Sequence, residues 1–292
     1  MSKCCTLPVK IIVLCAIFVS AGCTYTTGTD FGEYSQSFPV NGRADVHIEA
    51  YNARVRVLST DDSKVGFRVR YERDQSQPSN PYSARQDGSV IELTERRESH
   101  DWWSWGNFNS GRAEIEVRMP KNADLQLQTS NGAIEVTSLN GNIRLHTSNG
   151  AITADSLKGK VQAQTSNGAI SVEGVDGDCE LGTSNGRIQV SGRFDSLNLR
   201  SSNGVVVAHA QAGSTVASRW SIGTSNAPVD LTVPTALKAD LDVGTSNGPV
   251  NLELPVTLQG YEGKSHLHGT LNGGGQEVSV HTSNGPIHVS GV

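Results

Sequence analysis

The sequence predicts an all-β chain wound as a solenoid of stacked coils, about 18 residues to the coil in its central region. Three observations predict it. The tetrapeptide Thr-Ser-Asn-Gly begins at Thr129, Thr147, Thr165 and Thr183, with a Ser-Ser-Asn-Gly copy at Ser201, each start 18 residues after the last. A fixed period of this length marks a stacked, quasi-one-dimensional fold. Within it apolar residues pair at alternate positions: Ile134/Val136, Ile143/Leu145, Ile152/Ala154, Val161/Ala163, Ile170/Val172, Cys179/Leu181, Ile188/Val190, Leu197/Leu199 and Val206/Ala208. The residues between them are mostly polar, which is the period-two signature of half-buried strands. Finally, 5% aromatic residues and 31 glycines in 292 residues suit a narrow core repeated many times.

In chain order, residues 1–22 read as an export signal. Lys3 and Lys10 flank a short leading region, and the apolar run 11–19 has about half the ~20 residues that a membrane-spanning helix needs. Ser20-Ala21-Gly22-Cys23 resembles a bacterial lipobox, which makes Cys23 the lipidated first residue of the mature chain. The same stretch also fits cleavage after Ala21, which gives a soluble periplasmic or secreted protein. Cys4, Cys5 and Cys15 leave with the signal, so Cys179 has no cysteine partner once Cys23 is acylated. The net charge is −5 and becomes more negative when Lys3 and Lys10 are removed. That is the wrong sign for a nucleic-acid partner. Residues 23–37 are polar and aperiodic and read as a tether.

The solenoid domain is expected over 38–292. Short alternating segments at Val46/Ile48, Val55/Val57 and Val65/Phe67/Val69 are strands, with Asn41-Gly42 and Asp61-Asp62 as turns. Residues 98–111 interrupt them with Trp102, Trp103, Trp105 and Phe108. This insertion reads either as a cover for the open end of the stack or as a binding loop, since aromatics stack on sugars, partners or membrane interfaces. The regular repeats run over 129–208. Looser copies follow at Thr224, Thr245 and Thr282, with Tyr261 opening a Gly-rich excursion to Gly275 and a last coil closing the chain.

An antiparallel meander would place residues i and i+18 two strands apart, with nothing asking them to be identical. Stacked coils make them neighbours at about 4.8 Å. Asn131, Asn149, Asn167, Asn185 and Asn203 are therefore expected to form a structural ladder of side-chain amides along one turn, with each following Gly allowing positive φ.

These residues resemble the bacterial putative-adhesin family of β-strand repeat proteins, a family of unknown function. The resemblance rests on Phe38-Pro-Val40, Gly42 before Val46-His-Ile48, the repeated Thr-Ser-Asn-Gly, and the closing Gly273-Gly-Gly275 with Val278-Ser-Val280-His-Thr-Ser-Asn-Gly285. It implies a right-handed single-stranded parallel β-helix, export or membrane anchoring, and no catalytic residues to carry over.

The function expected is a non-catalytic envelope protein, an adhesin-like binding or scaffold module held at the outer membrane by lipid. A stress-linked lipoprotein acting through a protein partner is the alternative, and a polysaccharide-cleaving β-helix the enzymatic one. Its partners would be the membrane, through the anchor, and a protein or glycan. No cofactor and no metal are expected: His266, His268, His281 and His288 read as surface residues with no acidic ligand at a metal-site spacing. Asp176 and Asp178 occur once, unlike calcium-binding repeats. Cys179 takes an Ile position and reads as a buried thiol. If function is local, it lies where the repeat fails, at 98–111 and 261–275.

Overall fold

Ile134, Ile152, Ile170 and Ile188 occupy equivalent positions in the repeat, and each is at most 1% exposed. Their alternate neighbours Val136, Ala154, Val172 and Val190 are buried with them. Extended chain sends successive side chains to opposite faces, so each strand turns one face inward and one to solvent. Burying one Ile or Val contributes about 1.5–3 kcal/mol, and every coil repeats that contribution on two opposed faces.

A computed structural model describes residues 30–73, 80–96, 112–261 and 265–292. Among them the chain forms twenty-three strands and no helix. The strands are β1 (Phe31–Pro39), β2 (Ala44–Glu49), β3 (Ala53–Thr60), β4 (Lys64–Glu72), β5 (Tyr82–Asp87), β6 (Val90–Glu95), β7 (Ala113–Pro120) and β8 (Ala123–Thr129). Then come β9 (Ile134–Thr137), β10 (Asn140–Thr147), β11 (Ile152–Asp155), β12 (Lys158–Thr165), β13 (Ile170–Thr183), β14 (Ile188–Ser201), β15 (Val206–Ala210) and β16 (Trp220–Thr224). The last are β17 (Val229–Val233), β18 (Ala239–Asn247), β19 (Val250–Glu253), β20 (Thr257–Tyr261), β21 (His266–Leu271), β22 (Glu277–Asn284) and β23 (Ile287–Gly291).

The central strands pair in parallel, not as hairpins. Ile143 faces Val161 and Ile152 faces Ile170. Successive strands alternate between two faces, so a pair such as β8 and β9 makes one rung. One face runs β6–β2–β8–β10–β12, continues through the second halves of β13 and β14, and ends β16–β22–β18. The other runs β7–β3–β9–β11, through the first halves of β13 and β14, then β15–β17–β23–β19.

Both ends depart from the expected order. The first rung of the chain, β2 and β3, does not begin the stack; it is inserted between β6/β7 and β8/β9. The final rung, β22 and β23, read as a last coil, is inserted between β16/β17 and β18/β19. The outermost rungs are then extended by antiparallel strands. β4 pairs with β7 and β1 with β4, while β5 pairs with β6. At the far end β21 pairs with β18 and β20 with β21. These added strands occupy edges that would otherwise offer unpaired backbone groups.

Two further expectations are corrected. The segment expected as a tether over 23–37 does not run to 37, because Phe31–Pro39 is strand β1, with Tyr34 and Phe38 packed against the core, while 23–29 lie outside the described residues. The glycines of Thr-Ser-Asn-Gly do not adopt positive φ. That conformation belongs to Ser138, Ser156 and Gly174, at the opposite turn. A Cβ on Gly150, Gly168 or Gly186 would lie 1.8 Å from the carbonyl oxygen of the equivalent Gly one rung away. Glycine stands there because backbone touches backbone.

Candidate functional site

The repeated turn is the most regular constellation in the molecule. Its Thr is buried, and its Oγ1 donates to the carbonyl of the preceding rung's Gly: Thr147 to Gly132 at 3.1 Å, Thr165 to Gly150 at 3.1 Å, Thr183 to Gly168 at 3.2 Å. The same oxygen accepts the N–H of its own turn's Gly, as from Gly168 at 3.2 Å. The Asn side chains form one hydrogen-bonded column. Asn149 donates to Asn131, Asn167 to Asn149, Asn185 to Asn167 and Asn203 to Asn185, at 2.6 to 2.8 Å. The column extends through Asn52 at one end and through Asn226, Asn284 and Asn247 at the other. It follows rung order, not chain order. Each polar group in it is used to join coils.

A different kind of cluster sits on the outer face near the far end. β18 lies there between β21 and β22. Asp242 points outward between inward Leu241 and Val243, and Gly244 follows on the same side of the strand. Gly244 is flanked by His266 on one side and His281 on the other; Asp242 is flanked by His268 and Ser279. Asp242 Oδ1 lies 3.4 Å from His266 Nε2 and 3.2 Å from His268 Nδ1, and Oδ2 lies 3.2 Å from His281 Nε2. The Nε2 atoms of His266 and His268 approach to 2.9 Å. Among the described residues this is the one grouping whose imidazole and carboxylate ligand atoms all lie within 4.8 Å of one another, for Asp242, His266 and His268.

This corrects the reading that no acidic ligand accompanies the histidines. Asp242 precedes them in the chain and reaches them only through strand pairing. Three of the four come together; His288 lies on the other face, opposite Asp230 and Asn251. Trp102, Trp103, Trp105 and Phe108 lie outside the described residues, as does Cys23; β6 and β7, which bracket the Trp-rich segment, form an outermost rung. Cys179 is buried, which pushes its thiol well above the ordinary range. Asp176 is engaged by Arg193 and Lys158, and its carboxyl is held low chiefly by the Arg193 hydrogen bond. Of the scattered outward charges, Arg144 donates to Gln162 at 3.1 Å and Gln162 to Glu180 at 2.8 Å, another bond from coil to coil. Trp220, which the repeat pattern does not single out, is fully buried against Phe194, with ring centroids 6.2 Å apart.

A shallow groove of about 240 Å³ at the near end is lined by Arg54, Arg56, Arg68 and Arg70 with Glu33, Glu114 and Glu116. The charges alternate across the strands. Glu33 faces Arg70, Arg70 faces Glu114 and Glu114 faces Arg54; one row on, Arg68 faces Glu116, Glu116 faces Arg56 and Arg56 faces Glu135. With Glu135, which lies beside the groove, the two rows hold four arginines and four glutamates.

The family model described as Toastrack DUF4097 matches residues 44–290. No curated protein matches the chain. Solved structures similar to it include a "putative cell adhesion protein" from Clostridium sporogenes, at 13% identity, covering 90% of this chain and 100% of that one, with a TM-score of 0.27. A "putative adhesin" from Bacteroides fragilis is 9% identical over 89% and 97% of the two chains, with a TM-score of 0.35. A "putative adhesin" from Parabacteroides distasonis is 10% identical over 89% and 98%, with a TM-score of 0.34.

Proposed function

Because the chain belongs to the Toastrack DUF4097 family, we propose that it acts without catalysis, as a binding module of the cell envelope held at the membrane by a lipid on Cys23. The observation that carries this reading is the leader: Lys3 and Lys10, the short apolar run 11–19, and Ser20-Ala21-Gly22-Cys23 ahead of an all-β body. We read that body as a right-handed single-stranded β-helix of about 18 residues per coil, the hand that nearly all connections between parallel strands adopt.

The binding surface we assign is the Trp-rich segment with Trp102, Trp103, Trp105 and Phe108. In the chain it links β6 to β7, the two strands of an outermost rung. Aromatic side chains supply large contact area at low entropic cost.

Two experiments test this. Labelled palmitate should enter the wild type and not Cys23→Ser; equal labelling removes the anchor from the proposal. Trp102→Ala with Trp103→Ala should lose a glycan found on an array, or a protein recovered by crosslinking, while the melting temperature stays unchanged. Glycan binding supports the adhesin-like reading. A single crosslinked protein with no glycan supports action through an envelope partner. A large fall in melting temperature makes the segment a cover for the stack.

A further inference from the structure

We propose that Asp242, His266, His268 and His281 form a binding site for a divalent transition-metal ion of the imidazole-preferring class, zinc in the first place. The site lies on the outer face of the far end of the stack and is independent of the Trp-rich segment.

The donor set is the first argument. Three imidazoles and one carboxylate suit zinc and its neighbours in the first transition row, whereas magnesium and calcium take oxygen donors. The spacing is the second. Ligands about 2.1 Å from a tetrahedral ion lie about 3.4 Å from one another; Asp242 Oδ1 lies 3.4 Å from His266 Nε2 and 3.2 Å from His268 Nδ1, in a group whose ligand atoms all lie within 4.8 Å of one another, and His281 reaches the other carboxylate oxygen at 3.2 Å.

The third argument is what the cluster leaves unfilled. Asp242 Oδ1 is a buried atom with no hydrogen-bond partner, although two imidazole nitrogens lie within 3.4 Å of it. A buried acceptor without a partner is costly, and a cation shared by Asp242 Oδ1 and the two imidazoles would satisfy it. The fourth is Gly244. A Cβ there would lie 2.5 Å from His266 Nδ1 and 3.0 Å from His281 Nδ1. The missing side chain lets the two rings close over the strand from opposite neighbours.

The three strands come from different parts of the chain: β18 from the outermost rung, β21 from the antiparallel excursion, and β22 from the inserted final rung. An ion held by all three ties the added antiparallel strand β21 to the stack. Binding to the folded state alone raises its stability.

The test uses the mature chain with any purification tag removed. Zinc chloride titrated in a calorimeter should bind one equivalent, raise the melting temperature, and be stripped by a chelator. Asp242→Asn, and His266→Ala with His268→Ala, should each weaken binding by at least ~10-fold, while His288→Ala leaves it unchanged. Cobalt should show the visible absorption of a four-coordinate ion in the wild type and lose it in His281→Ala, which keeps the test available if the double variant misfolds. Absence of zinc binding, equal binding by the double variant, or a loss in His288→Ala matching that of the ligand variants overturns the proposal.

Discussion

Thr165, Asn167 and Gly168 belong to one turn and do three different physical jobs. Thr165 supplies a buried hydroxyl that satisfies the Gly150 carbonyl and the Gly168 N–H. Thr165→Val keeps the shape and leaves both groups without that partner, which costs about 1–3 kcal/mol. Asn167 is exposed and its ladder bonds compete with water, so Asn167→Ala should cost about 0.5–1.5 kcal/mol. Gly168→Ala drives a methyl to 1.8 Å from a backbone oxygen that cannot move without its own rung. It should cost about 3 kcal/mol or more, and urea unfolding of the three variants should return that order. Glu95 behaves differently. It accepts the Tyr51 N–H at 2.8 Å, and burial raises its carboxyl above the ordinary range. The unfolded chain then releases that proton first as pH rises, so wild-type stability falls through and beyond the carboxylate range. Glu95→Gln should therefore gain on the wild type between acid and neutral pH, measured as the difference in unfolding free energy. Asp124 and Glu135, held low chiefly by hydrogen bonds from Arg43 and Arg54, work in the opposite sense and lose their contribution as pH falls. The inward apolar pairs and the Asn column were legible in the sequence, because both are set by period alone. The reason for the turn glycine was not, since a glycine letter reads the same whether φ or a neighbouring backbone demands it.

At the scale of elements, the sequence announces parallel strands wherever the repeat is regular and shows at most that the capping strands exist, as at Val65/Phe67/Val69, without showing that they pair antiparallel. β1, β4, β5, β20 and β21 carry no Thr-Ser-Asn-Gly and pair antiparallel. Alternating charge contributes to their register. Glu116 faces Arg68 on one side and Arg56 on the other. Glu116→Lys would put three cations in a row, weakening the β4–β7 pairing by about 1 kcal/mol. High salt should recover part of that loss, and denaturant unfolding at low and high ionic strength measures it. The metal-like cluster was illegible for the same reason as the caps. His266-Leu-His268 shows two ligands on one strand face, but Asp242 and His281 join them only across an antiparallel ladder on one side and a parallel ladder on the other.

At the scale of the molecule, both ends of the repeat region are locked by insertion. Residues 277–291 form an interior rung with one partner rung on each side, although they come last in the chain. Deleting them from Glu277 onward removes two interfaces and leaves β18 and β19 without their parallel neighbours. We expect a loss of cooperative folding at that end, seen as a lower melting temperature with a broadened transition. In a sequentially stacked solenoid the same cut would remove one interface, and nearest-neighbour coupling would leave the rest intact. A truncated chain that melts as sharply as the full one contradicts the inserted order. By itself, the sequence determined the class of the fold, the 18-residue spacing, which side chains face inward, and the turn that joins coil to coil. Those follow from the alternation of extended chain and from contacts within one repeat. Only the tertiary structure decided which rung neighbours which, how the edges are closed, and where Asp242 meets three histidines. The repeated rungs present nearly the same joining edge, a Thr or Ser hydroxyl, an Asn amide and in most a bare Gly backbone, so the pattern specifies that rungs stack without specifying their order. That order is set by pairings between strands far apart in the chain, and the same pairings assemble the cluster.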